Sequence, residues 1–247
     1  MVAIEHSAVC RQEKREKLLK EKGEEWAGMP RAIEALAPPS AHSGPAASEI
    51  LQWSPGASAS ASSSEEQTAH KPPAYTPEAR SASATLYLGS SSAAKDSTWL
   101  FNAKIGFVLN CADDVKAPSE LYDHLGVQWT QLSALKDVTS CDISPYFDSC
   151  IKTIGEKLSQ GVSVLVHCAA GMSRSASIVI GFLISPEGRQ MSLVDAVHHV
   201  RERRPLVYPN KGFFLALIRL EGTLWPDRPQ SILPEMIELH EDCTLLE

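Results

Sequence analysis

Residues 162–184 read VSVLVHCAAGMSRSASIVIGFLI, and this stretch decides the fold. Val162 to Val166 is a β-branched, almost wholly apolar run of the kind that forms a strand buried on both faces. After a short loop the chain becomes ASIVIGFLI, apolar enough for a buried helix. Cys168 therefore stands where a buried strand meets a helix N-terminus. At such a junction successive backbone N–H groups point into one concavity and the helix dipole adds positive potential, which makes an anion site. The same field favours the thiolate form of a cysteine.

Five residues separate Cys168 from Arg174, enough for a semicircular loop that brings a guanidinium round to face the sulfur across a bound phosphate. The cradle is the run Ala169, Ala170, Gly171, Met172, Ser173 and Arg174. Gly171 lets the chain turn where a side chain would crowd the anion. Arg174 can hold two phosphate oxygens at once, which the point charge of a lysine cannot reproduce. Ser175 is placed to donate its hydroxyl to the sulfur.

Outward from this centre, TLYLGS, KIGFVLNCA and VQWTQLSAL are further short β-branched or apolar runs separated by helical or turn-like sequence. Alternation of strand and helix predicts an α/β fold, a mainly parallel central sheet covered by helices on both faces. Asp142 can cap a helix over ISPYFDSCIKTIGEKLSQ that Gly161 ends, with Pro145 tolerated in the first turn. Ser192, with Asp195 three residues on, resembles a capping box before VDAVHHVRER, which Pro205 stops. Asn210 precedes KGFFLALIRLEGTLW, where Phe213, Leu217 and Leu220 recur at helical spacing.

Residues 84–225 are accordingly read as one α/β domain, the part of the chain that holds the loop from Cys168 to Arg174. Residues 1–37 are read as a part-helical extension, with a solvated helix over 8–26. Residues 38–83, dominated by Ala, Ser and Pro, are expected to be a disordered linker that adds nothing to a packed core. Residues 226–247 are expected to be a loosely attached acidic tail. The balance of 23 basic against 30 acidic residues offers no nucleic-acid surface. The six cysteines include no CxxC pair and no zinc-like spacing, and no run approaches the ~20 apolar residues of a membrane span. These features predict a cytoplasmic protein, also admissible in the nucleus, with reduced thiols. His198 and His199 lack matching ligands, so neither a metal nor a cofactor is assigned.

HCAAGMSRS resembles the HCxxGxxRS signature of the cysteine-dependent phosphatases. LYLGS, VLNCA, LKDVTSCDISPYF, RERRPLVYPNKGFF and ALIRLE resemble successive blocks of the dual-specificity phosphatases, especially the small atypical ones, across residues 84–225. The resemblance implies Cys168 as nucleophile, Arg174 as phosphate holder and hydrolysis through a cysteinyl-phosphate. It also implies a general acid about thirty residues before the cysteine. Asp137 fits that place, and Asp142 is its rival. His167 is read as a neutral loop organiser. Cys111 is read as a core residue, with a disulfide to an oxidised Cys168 as the alternative.

The uncharged side chains of Ala169, Ala170, Met172 and Ser173 suit a single phosphate on a protein, because family members that act on phosphoinositides carry basic residues there. The expected substrate is a phosphoserine, phosphothreonine or phosphotyrosine protein, with a signalling kinase as a candidate partner. Rival readings are a phosphoprotein-binding module with weak turnover and a phospholipid or phosphoglucan phosphatase.

Overall fold

The computed structural model describes residues 29–37, 45–53 and 83–237. The helix expected over 8–26 lies outside the described residues, as do 54–82 and 238–247. Five strands form one sheet: β1 (Ala47–Trp53), β2 (Ala84–Gly89), β3 (Ile105–Asn110), β4 (Gln128–Gln131) and β5 (Ser163–His167). Their spatial order is β1-β2-β5-β3-β4, with β1 antiparallel to β2 and every other pair parallel. The strand that leads to Cys168 is thus the central one.

Burial on both faces explains why β3 and β5 read as unbroken apolar runs. Val164, Val166, Phe107 and Leu109 face one core, while Leu165 and Val108 face the other. The smaller core lies under α2 (Ser97–Asn102) and α3 (Ser119–Leu125), where Tyr122 is fully buried and donates to the Ala94 carbonyl at 3.0 Å. The larger core lies under α4 (Ser144–Ser159), α5 (Arg174–Ile184), α6 (Leu193–Arg203) and α7 (Lys211–Leu224). Every residue of α5 is buried, as its apolar sequence demands.

The helix ends follow their caps. Ser192 accepts from the Asp195 N–H at 3.1 Å, Asn210 accepts from the Phe213 N–H at 3.1 Å, and Gly161 at φ +75° closes the turn after α4. Asp142 accepts from the Ser144 N–H at 3.0 Å, one turn-residue outside the helix proper. β4 departs from expectation. It is a short edge strand whose side chains are mostly exposed, with Trp129 laid against Tyr122, so it is not buried like β3 and β5.

Two expectations at the ends of the chain are corrected. Residues 47–53 lie in the stretch expected to be a disordered linker, yet they form β1 and place Ile50, Leu51 and Trp53 in the core. The short run EILQW finds a ready partner in the free edge of β2, and burial of three large side chains offsets the ordering cost. Upstream, α1 (Met29–Leu36) rests on α6 through Ala32, Ala35 and Leu36, and Arg31 pairs with Asp195 at 2.5 Å. The tail is not loose where it is described, since Ile232, Met236 and Ile237 are buried and Ser231 bonds the buried Glu221 carboxylate at 2.8 Å. No helix among the described residues is long and apolar enough to cross a membrane.

Candidate active site

Cys168 follows the last residue of β5 and is only 1 % exposed. The Gly171 N–H and the Ser175 hydroxyl point at its sulfur, at 3.3 and 3.2 Å. Two donors converging on one sulfur stabilise negative charge there. Gly171 is required twice over. Its φ is +69°, and a Cβ at this position would stand 2.4 Å from the Gly89 carbonyl oxygen. The loop is pinned further by Ser91 N–H to the Ala169 carbonyl (3.0 Å) and Tyr208 N–H to the Met172 carbonyl (2.9 Å). Met172 turns its side chain outward and is 37 % exposed at the rim.

Arg174 opens α5 and is 5 % exposed. One arm of its guanidinium, Nη1, reaches Asp114 Oδ1 at 2.5 Å. Its Nε is buried with no hydrogen-bond acceptor, and Asp137 Oδ2 lies 3.8 Å away from it. A buried, unanswered donor on a guanidinium beside a thiol is a place for an anionic oxygen.

Asp137 is brought to this centre and Asp142 is not. Asp137 lines a cleft of about 400 Å³ together with Asp113, Asp114, Lys136 and Arg174. Its Oδ1 accepts from the Ser173 hydroxyl at 2.6 Å and from Asn210 Nδ2 at 2.9 Å. The loop carrying it is pressed against α7, where a Cβ on Gly212 would stand 2.2 Å from the Thr139 carbonyl oxygen. The Asp142 carboxyl is held below its ordinary value chiefly by the Ser144 N–H and takes no part in the cleft.

His167 is buried, its Nδ1 lies 3.2 Å from the Cys168 carbonyl oxygen, and burial lowers its pKa to about 4, so the ring is neutral near pH 7. Cys111 is a free thiol in the core whose pKa burial pushes well up, which keeps it protonated. His198 and His199 bond the carbonyls of Arg31 and Ile50, and no cluster among the described residues could hold a metal ion.

Sequence reasoning missed Asp114, Asn210 and Arg204. Asp114 was findable, because it follows β3 at the carboxyl end of a parallel strand, where sites of such sheets gather. Asn210 was seen only as a helix cap. Its side chain caps with Oδ1 and holds Asp137 with Nδ2, and the second role needs the fold to be visible.

The sequence model of the family described as dual specificity phosphatase, catalytic domain, matches residues 86–223, more than half of the chain. The chain belongs to this family. The phosphatase domain is 35% identical over 139 residues to Dual specificity protein phosphatase 1 of Arabidopsis thaliana, a match covering 56% of this chain and 67% of that protein. It is 40% identical over 129 residues to Dual specificity protein phosphatase 19 of Mus musculus, covering 52% of this chain and 55% of that one. The chain thus spans little more than half the length of the mouse relative. A crystal structure of a mouse dual specificity phosphatase complexed with zinc tungstate superposes with a TM-score of 0.51 at 26% identity, covering 68% of this chain and 98% of the other.

Proposed function

We propose that this chain is a protein phosphatase that hydrolyses phosphoserine, phosphothreonine and phosphotyrosine through a cysteinyl-phosphate intermediate. The observation that carries this reading is the pairing of a buried sulfur, approached by two donors, with a buried Arg174 whose Nε lacks an acceptor. A phosphate seated between them would satisfy Arg174 Nε and the loop N–H groups together. The tungstate bound by the mouse neighbour is a tetrahedral oxyanion of phosphate's shape, which fits such a cradle.

The Cys168 thiolate attacks phosphorus, the S–P bond forms as the P–O bond of the ester breaks, and Asp137 gives its proton to the departing oxygen. Water then attacks the phosphocysteine. Asp137, now a carboxylate, takes the proton from that water, the S–P bond breaks, and the Ser175 hydroxyl stabilises the returning thiolate. Inorganic phosphate leaves. Ser173 and Asn210 aim the acid, and neutral His167 fixes the backbone of the loop.

Two features favour a protein phosphate over a polyphosphorylated lipid. The variable loop side chains carry no charge, and Met172 offers an apolar edge. The test is hydrolysis of a small aryl phosphate, then of phosphopeptides and phosphoinositides. Cys168→Ser should abolish turnover and keep tungstate binding, because the loop amides and Arg174 remain. Faster release of phosphate from phosphoinositides than from phosphopeptides would overturn the substrate assignment.

A further inference from the structure

Arg204, at the end of α6, is among the largest fully buried side chains of the protein, at 1 % exposure. None of the ion pairs among the described residues involves it. A buried guanidinium without a carboxylate is costly and must be answered by dipoles and distant charge. Its three nitrogens each donate to a backbone carbonyl. Nε bonds Gly171 at 2.8 Å, Nη2 bonds Ala170 at 2.9 Å, and Nη1 bonds Pro45 at 2.5 Å. Two of those carbonyls belong to the phosphate loop, and the third belongs to the residues that lead into β1.

The contact is tight and continuous. A Cβ on Gly171 would stand 2.8 Å from Arg204 Nη2, so the loop backbone is clasped between Arg204 and the end of β2. The Ala46 carbonyl accepts from the Ser90 N–H at 2.8 Å, and the Ser91 N–H donates to the Ala169 carbonyl at 3.0 Å. Residues 45–46, Ser90, Ser91 and the loop therefore share one hydrogen-bonded set. By turning the Ala170 and Gly171 carbonyls toward itself, Arg204 leaves the opposite edges of those peptides, their N–H groups, for the anion site.

β1 is not tied down by a short hairpin turn. Residues 54–82 separate Trp53 from Ser83, and the cost of closing so long a connection depends only weakly on its length, so β1 is held by its own contacts. Those are the antiparallel pairing with β2 from Ala47 to Trp53, the side chains of Ile50, Leu51 and Trp53 in the core, the Ile50 carbonyl bonded to His199, and the Gln52 carbonyl bonded to Arg189. A strand seated in this way can respond to what happens at Pro45, two residues before it begins.

We propose that Arg204 is a positioning residue that couples the phosphate loop to the N-terminal strand, so that an oxyanion in the loop and the seating of residues 45–53 strengthen each other. The inference rests on the loop's being an oxyanion site, and so on the reading above, but not on turnover. By linkage the coupling is reciprocal.

The experiment is hydrogen exchange of the full-length chain with and without saturating tungstate. In the wild type, tungstate should slow exchange of amides 46–53 by about fivefold or more, the lower end of ordinary coupling between sites. Arg204→Met should remove that effect and weaken tungstate binding by a similar factor, while the preference for acidic leaving groups stays as in the wild type. Arg204→Lys, which keeps the charge and loses the three-way fork, should restore only part of the coupling. Ile50→Ala, which loosens β1 far from the loop, provides the reciprocal measurement should the Arg204 variants fold poorly. It should weaken tungstate binding with Arg204 intact. Tungstate protection of residues 168–175 with no change at 46–53 in the wild type overturns the proposal. Absence of aryl phosphate hydrolysis with the coupling present overturns the phosphatase reading alone.

Discussion

Replacing Asn210 by alanine separates the aiming of the acid from the rest of the site. Asn210 Nδ2 donates to Asp137 Oδ1 at 2.9 Å, and the Ser173 hydroxyl supplies the other bond to that oxygen at 2.6 Å. The acid that gives up its proton is a neutral carboxylic acid, and a neutral hydrogen bond contributes about 0.5–1.5 kcal/mol. At about 1.4 kcal/mol for each factor of ten, losing one of two such bonds should reduce the fraction of enzyme with its acid in place by about 2- to 10-fold. Loss of the acid itself in Asp137→Asn should cost about 10²- to 10⁴-fold. The assay is kcat on a series of aryl phosphates of falling leaving-group acidity. Asn210→Ala should be slow on phenyl phosphate and within about threefold of wild type on an activated ester, whose oxygen departs without a proton. The variant also loses the cap that accepts from the Phe213 N–H, at about 1 kcal/mol, so Tm should fall by about 2–4 °C. Asn210→Asp keeps the cap and turns a carboxylate toward Asp137. It should be at least as slow as the alanine variant with Tm preserved. Equal slowing of activated and unactivated esters by Asn210→Ala would refute the reasoning, because it would mean that the damage lies in the phosphate loop.

Gly171→Ala should weaken tungstate binding at least tenfold by titration calorimetry, since the left-handed φ costs about 1–2 kcal/mol and the new Cβ meets the Gly89 carbonyl at 2.4 Å; unchanged affinity would show that the loop adopts another path. Removing residues 1–53 should lower Tm and activity together, because Ile50, Leu51 and Trp53 each contribute about 1.5–3 kcal/mol of burial. A truncated chain with the Tm and kcat/KM of the full one would place β1 outside the functional domain. His167 carries a pH dependence of known sign. Its folded pKa of about 4 lies below the unfolded value near 6.5, so the unfolded chain binds the extra proton and stability falls as pH drops through that window. The loss amounts to about 3 kcal/mol between pH 7 and pH 4 in denaturant titrations, and a His167→Gln variant should lack that part of the slope.

The sequence alone determined whatever depends on local pattern. The apolar run of β5, the six-residue step from Cys168 to Arg174 and the glycine between them specify a strand, an anion loop and a buried helix, because each uses neighbours in the chain. The caps at Ser192 and Asn210 were legible for the same reason. What tertiary structure decided are the pairings between distant segments. EILQW looks like part of an Ala- and Ser-rich stretch until the open edge of β2 is beside it. Trp129 looks like a core residue until β4 proves to be the last strand of the sheet. Arg204 reads as a charge at a helix end, and only the fold buries it against three carbonyls, two from the phosphate loop and one from residue 45. Periodicity reports which side of an element is apolar, since that is a property of adjacent residues. Which element will cover it, and which backbone groups a buried cation will face, depend on contacts between residues as much as 167 positions apart, which leave no mark on the local pattern.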